Sequence, residues 1–142
     1  MEKIIYGLNE LDAVVLRLIK KMRTAQVLTF SGPLGAGKTT VIRELLKQCG
    51  ITQPVTSPTF TYVNRYQNLE GQTFYHFDLY RIESLDDFIA GGFGEYLYQP
   101  NSWAFIEWPE LIMPLFAHNV CNITIDYPEE NLAQREMTIK CK

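Results

Sequence analysis

The chain has 142 residues, 46% of them hydrophobic and 20% charged, which fits one globular domain able to bury a sizeable core. Thirteen Lys and Arg against sixteen Asp and Glu leave a net charge of −3. That balance excludes the overall basic field that drives nucleic-acid binding unaided, so any RNA contact is expected to run through another protein.

Three cysteines, Cys49, Cys121 and Cys141, show no Cys-x-x-Cys spacing. The expectation is thiols in a reducing compartment, without a disulfide framework or a zinc site. The start Met-Glu-Lys-Ile-Ile-Tyr lacks signal-peptide architecture, and Arg17, Lys20 and Lys21 interrupt the only long apolar helix candidate. A cytoplasmic protein without membrane contact is expected.

In chain order, Lys3 to Tyr6 reads as a short edge strand, and Asn9 as the N-cap of a helix to about Met22 with Leu11, Val14, Val15, Leu18 and Ile19 on one face. Gln26 to Phe30 is apolar and β-biased, as a buried strand is. Directly after it stands Gly32-Pro33-Leu34-Gly35-Ala36-Gly37-Lys38-Thr39, a complete Gly-x-x-x-x-Gly-Lys-Thr phosphate loop, and Lys38 to Cys49 then carries helical spacing.

Each loop residue has a physical task. Gly32, Gly35 and Gly37 take backbone angles closed to other residues and let main-chain N–H groups approach phosphate oxygens. Lys38 reaches the β and γ phosphates as a point charge, and the Thr39 hydroxyl ligates a magnesium ion bridging them. The helix N-terminus adds partial positive charge. With Ala36 and Thr40 inside the same stretch, residues 32 to 40 form the expected nucleotide cradle.

Pro54 and Pro58 make Ile51 to Pro58 a loop. Ser57 and Thr59, within Thr56-Ser57-Pro58-Thr59-Phe60, are placed to sense a γ phosphate or its magnesium as a switch loop does, although Ser-Pro-Thr is also a common turn. Thr59 to Tyr66 and Gln72 to Phe77 read as an antiparallel strand pair joined through Asn68-Leu69-Glu70-Gly71. Ile82 to Phe88 and Phe93 to Tyr98 read as short helices separated by Gly91-Gly92. Trp103 to Glu107 fits a buried parallel strand, and Val120 to Tyr127 with Glu136 to Lys140 a late hairpin around Pro128 to Asn131. The fold class is α/β: a P-loop NTPase-like mixed parallel and antiparallel sheet flanked by helices, in a single domain over 1–142.

Two acids end strand-like runs, Asp78 after Phe77 and Glu107 after Ile106, and either fits the metal-side carboxylate by spacing. Ligand crevices of open α/β sheets lie beyond the carboxyl ends of strands, so both can face one phosphate. Glu107 is assigned to the magnesium shell. Asp78 is assigned, with Lys38, to catalysis, by positioning the attacking water or holding the metal through its outer ligands, with a turn cap before Leu79-Tyr80-Arg81 as the alternative. Trp108 packs beside the nucleotide or serves as a core aromatic before Pro109. His76, alternating with Phe77, reads as a packed core histidine, and His118 has no role.

A small-molecule kinase would carry an arginine-rich lid, yet Arg135 is the only arginine beyond Glu107. A GTPase would show Asn-Lys-x-Asp and Asp-x-x-Gly, and neither occurs. Two alternatives stay open: the small-molecule P-loop kinase, against which the scarcity of arginines counts, and a non-catalytic nucleotide-gated interaction module, in which ATP orders Thr56 to Phe60 for docking.

Taken in order, Gly32 to Thr40, Ser57-Pro58-Thr59-Phe60, His76-Phe77-Asp78-Leu79-Tyr80-Arg81 and Glu107-Trp108-Pro109-Glu110 resemble the small TsaE-like ATPases. The resemblance implies a magnesium-dependent ATPase, weak alone, that works with TsaD-like and TsaB-like subunits to make threonylcarbamoyladenosine in tRNA. It implies metal contacts from Thr39 and Glu107, a need for Asp78 in hydrolysis, and a first switch at Ser57 to Phe60. Pro33 departs from the family's usual Asp and implies a stiffer loop entry.

Overall fold

The computed structural model describes residues 1–58, 60–129 and 131–142. Seven strands, β1 (Glu2–Gly7), β2 (Val27–Ser31), β3 (Val63–Gln67), β4 (Thr73–Asp78), β5 (Ser102–Glu107), β6 (Val120–Asp126) and β7 (Gln134–Cys141), form one sheet in the order β1-β7-β6-β2-β5-β4-β3. The four central strands β6, β2, β5 and β4 are parallel, and β1, β7 and β3 pair antiparallel outside them. The sheet is therefore mixed, as expected, and the carboxyl ends of four strands fall along one edge.

Helices cover both faces because the central strands are apolar on both. Val27, Leu28, Thr29 and Phe30 of β2 are all buried, which is the run a doubly covered parallel strand shows. On one face α1 (Leu11–Lys21) contributes Val14, Val15 and Leu18, and α2 (Lys38–Gln48) contributes Val41, Ile42, Leu45 and Leu46, against Leu28, Phe30 and Phe105. On the other, Val27, Phe77 and Ile106 pack with Phe88 of α3 (Leu85–Ala90) and with Ile112 and Phe116 around the 3-10 turn Glu110–Leu115. Each such side chain contributes about 1.5–3 kcal/mol by leaving water.

Several boundaries differ from the sequence reading. Asn9 does not cap α1; it sits in a 3-10 turn, Leu8–Glu10, where the Glu10 carboxylate accepts from the Gly7 amide at 3.1 Å. The strand expected from Thr59 begins only at Val63: the Tyr62 amide bonds back to the Pro58 carbonyl at 3.1 Å, and Tyr62 has φ 66°, which breaks the extended run. Thr59 itself lies outside the described residues. The helix expected from Ile82 starts at Leu85, where Ser84 Oγ accepts from the Asp87 amide at 3.0 Å. Phe93 to Tyr98 shortens to a 3-10 turn, Phe93–Tyr96.

The thiol expectation also needs correction. Cys121 and Cys141 face each other in the β6–β7 register and form a disulfide, which leaves Cys49 as the free thiol. Spacing of 20 residues carries no local signature for that bond, because the hairpin register alone brings the two together. Burial raises the Cys49 thiol to about 11.

Candidate functional site

The loop of residues 32–37 leaves the end of β2 and enters α2 at Lys38. Its first turn tolerates only glycine. Gly32 has φ 143°, and a Cβ there would lie 2.0 Å from the Ile125 carbonyl oxygen of β6.

Lys38 is 5% exposed. Its ammonium donates to the carbonyls of Gly32 at 2.5 Å and Pro33 at 3.1 Å, and sits 3.8 Å from the centre of the Trp108 ring. Burial pulls its pKa below the usual lysine value, while Glu107, Glu110 and Asp78 oppose that shift. Lys38 is thus a cation held by groups that a phosphate oxygen can replace with stronger, charge-assisted bonds.

Parallel register aligns the acids. Phe30 and Asp78 both sit opposite Glu107, so the ends of β2, β4 and β5 meet at one point. Glu107 is 3% exposed. Thr39 Oγ1 donates to its Oε1 at 2.7 Å, and His76 Nε2 lies 2.6 Å from its Oε2. An ionised carboxylate only accepts, so in that state Nε2 carries the imidazole proton. His76 Nδ1 is buried without a partner among the described residues. Asp78 accepts from Ser57 Oγ at 3.0 Å through Oδ2 and from the Tyr80 amide at 3.1 Å through Oδ1. It therefore caps the turn and reaches the cleft at once.

Lys38, Thr39, Ser57, Asp78, Glu107 and Trp108 line one cleft of about 320 Å³, closed by Gly35, Gly37 and Thr40. Gly32 and Ala36 are not on this cleft. Gly32 gives its carbonyl to Lys38, and Ala36 is buried, with its carbonyl accepting from Arg135 Nε at 3.1 Å. Trp108 has φ 56° and packs between Lys38 and Tyr80, whose ring centre is 4.9 Å away.

Three residues escaped the sequence reading. His76 was read as core, and it is buried, but it also orients Glu107; its place in the β4–β5 ladder, two residues before Asp78, was the available signal. Tyr127 Oη donates to the Gly35 carbonyl at 2.9 Å, and Arg135 stacks on Tyr127 at 4.2 Å. Together they hold the loop from the β6–β7 hairpin, and nothing local in sequence announces that.

A glycine loop between a central parallel strand and a helix, with strand-end carboxylates facing it, defines an α/β protein of P-loop NTPase-like fold, suited to nucleotide phosphates. The crystal structure of Bacillus subtilis YdiB shares the fold, with a TM-score of 0.69 and 28% identity, over 97% of this chain and 84% of that one. The family model described as threonylcarbamoyl adenosine biosynthesis protein TsaE matches residues 6–137. The chain belongs to the TsaE family, which is involved in biosynthesis of threonylcarbamoyladenosine in tRNA. The tRNA threonylcarbamoyladenosine biosynthesis proteins TsaE of Synechocystis sp. and Nostoc sp. are 35% and 37% identical to it over 125 and 120 residues. Those alignments cover 81% and 82% of this chain and 74% and 72% of the relatives. No helix among the described residues is long and apolar enough to cross a membrane.

Proposed function

We propose that this chain is the magnesium-dependent ATP-binding and ATP-hydrolysing subunit required for threonylcarbamoyladenosine modification of tRNA. It acts in the cytoplasm with TsaD-like and TsaB-like partners and meets tRNA only through them. The observation that carries this reading is the convergence of Lys38, Thr39, Asp78 and Glu107 on one cleft at the N-terminus of α2.

The residues fit magnesium. The Thr39 hydroxyl and a Glu107 carboxylate oxygen are 2.7 Å apart, a hard oxygen pair of the kind that holds this ion when substrate phosphates and waters supply its other ligands. Among the described residues no group of three or more His, Cys, Asp or Glu forms a separate metal cage. When bound, the ion would neutralise charge on the β and γ phosphate oxygens. His76 fixes Glu107 in the orientation that presents Oε1 to Thr39.

Lys38 exchanges the Gly32 and Pro33 carbonyls for phosphate oxygens, and the α2 dipole adds to its charge. Asp78, beside Ser57, accepts a hydrogen bond from the attacking water and orients it toward the γ phosphate. No arginine lines the cleft among the described residues, and Arg81 lies instead over the Phe60 ring at 5.0 Å. Turnover is accordingly weak alone, and the partners supply transition-state charge or order the Ser57 segment, an effect of roughly 10³–10⁵ where an arginine is provided.

The test is ATP turnover with and without the TsaD-like and TsaB-like pair. Turnover should rise with the pair and vanish in Asp78→Ala while ATP binding persists; equal rates with and without partners reject the reading. Retention of tRNA modification by Asp78→Ala would make the chain a binding switch instead.

A further inference from the structure

Tyr127 and Arg135 reach the phosphate loop from the side that faces away from Lys38. Arg135 lines the hollow behind the loop, together with Tyr6 and Val41, whereas Lys38 and Thr39 line the cleft in front of it. Tyr127 Oη donates to the Gly35 carbonyl and Arg135 Nε to the Ala36 carbonyl. Both acceptors are main-chain oxygens of the loop itself, in successive peptide units.

A trans peptide unit is planar, so a carbonyl held on one side of the chain turns the N–H of the same unit to the other side. The Ala36 carbonyl shares its unit with the Gly37 amide, and the Gly35 carbonyl shares its unit with the Ala36 amide. Holding the first aims the Gly37 N–H toward the cleft that Gly37, Lys38 and Thr39 line. Holding the second fixes the Ala36 N–H, which meets the Pro33 carbonyl at 3.1 Å. That same oxygen accepts from the Lys38 ammonium at 3.1 Å, so two donors of the site already converge on one electronegative atom, as they would on a phosphate oxygen.

The backbone alone does not secure this arrangement. Gly35 has φ 82° and Gly37 φ 102°, and glycine leaves such angles about as readily as it takes them. Ala36 between them is outside the left-handed region, and that alternation is the one that gathers successive N–H groups into a concavity for an anion. The support is rigid in its turn. Arg135 Nη1 donates to the carbonyls of Leu132 and Gln134, both at 2.8 Å, and the guanidinium stacks on the Tyr127 ring.

We propose that Tyr127 and Arg135 are positioning residues for phosphate binding, which set the Ala36 and Gly37 amides at the angle that receives phosphate oxygens and do not themselves touch the nucleotide. The inference rests on residues 32–39 being the phosphate site. Loop amides hold the phosphates in the ground state and the transition state alike, so losing the brace weakens binding and spares the chemical step.

Calorimetry with magnesium on the intact protein compares ATP with inorganic tripolyphosphate. Tyr127→Phe removes one hydrogen bond and keeps the ring beneath Arg135; it should weaken both ligands by the same factor, about fivefold. Arg135→Gln, which loses the fork and the stack, should weaken both by about tenfold or more. In ATP turnover with the TsaD-like and TsaB-like pair, each variant should raise KM by its factor at unchanged kcat. A smaller folded fraction would instead lower kcat at unchanged KM, and that result would overturn the assignment. So would affinities equal to wild type, or a loss confined to ATP, which would put the two side chains against the base or sugar. Failure of wild type to bind either ligand would overturn the phosphate reading and this inference together.

Discussion

Replacing Gly32 by alanine should unfold the entrance to the phosphate loop, and the size of the effect follows from two separate costs. A residue with a side chain held at φ 143° loses about 1–3 kcal/mol to backbone strain. The added Cβ also meets the Ile125 carbonyl oxygen at 2.0 Å, where real contacts stay beyond 3.0 Å, so the ends of β2 and β6 must part by about 1 Å. Forcing extra volume into a packed site costs about 1–3 kcal/mol more. The sum, about 2–6 kcal/mol, is a large share of the roughly 5–15 kcal/mol that holds a domain folded.

Urea unfolding followed by circular dichroism measures it. Gly71→Ala separates the terms, because Gly71 has φ 82° but nothing within 4 Å of the added atom. That control should show the backbone cost alone. If Gly32→Ala were no more destabilising than Gly71→Ala, within about 0.5 kcal/mol, the close approach to Ile125 would have no energetic meaning and the argument would fail.

His76→Ala removes the 2.6 Å partner of a carboxylate that is 3% exposed; stability should drop by about 1–3 kcal/mol, and affinity for magnesium ATP should weaken with it, so an unchanged unfolding midpoint refutes the role. Burial raises the Tyr6 phenol from 10.0 to about 12 and the Cys49 thiol from 9.0 to about 11. The folded chain keeps these protons longer than the unfolded one, so their stabilisation is complete at lower pH and is lost as pH climbs through those raised values. Tyr6→Phe and Cys49→Ser should each flatten the alkaline limb of a stability–pH curve, and a limb that keeps its slope in both contradicts the burial account. Reducing the Cys121–Cys141 bond, which closes 20 residues, should cost about 3 kcal/mol by the chain-entropy estimate; matched urea curves with and without reductant check it.

The legible parts of this fold were those set by short-range chemistry. Buried β2, the loop and α2 announce themselves through an apolar run, three glycines and helical spacing, and the observed bounds of α2, Lys38–Gln48, fall within one residue of the sequence reading. Asp78 and Glu107 were visible as acids at strand ends, and the ladder puts them side by side. What stayed hidden depends on residues distant in the chain. The Cys121–Cys141 bond needs the hairpin register, and the grip of His76 on Glu107 needs two parallel strands in alignment. At the start of β3, the backward bond from Tyr62 to Pro58 overrides a run of β-prone residues. At α3 a serine cap outweighs the apolar spacing that begins at Ile82.

The grip of Tyr127 and Arg135 on the carbonyls of Gly35 and Ala36 has an implication for biogenesis. A nascent polypeptide exposing every recognisable motif through Glu110 would still lack the two side chains that shape its anion cradle. Competence to capture triphosphate should therefore switch on late in translation, once Arg135 has cleared the ribosomal tunnel, and premature stalling upstream should yield products that are inert toward nucleotide.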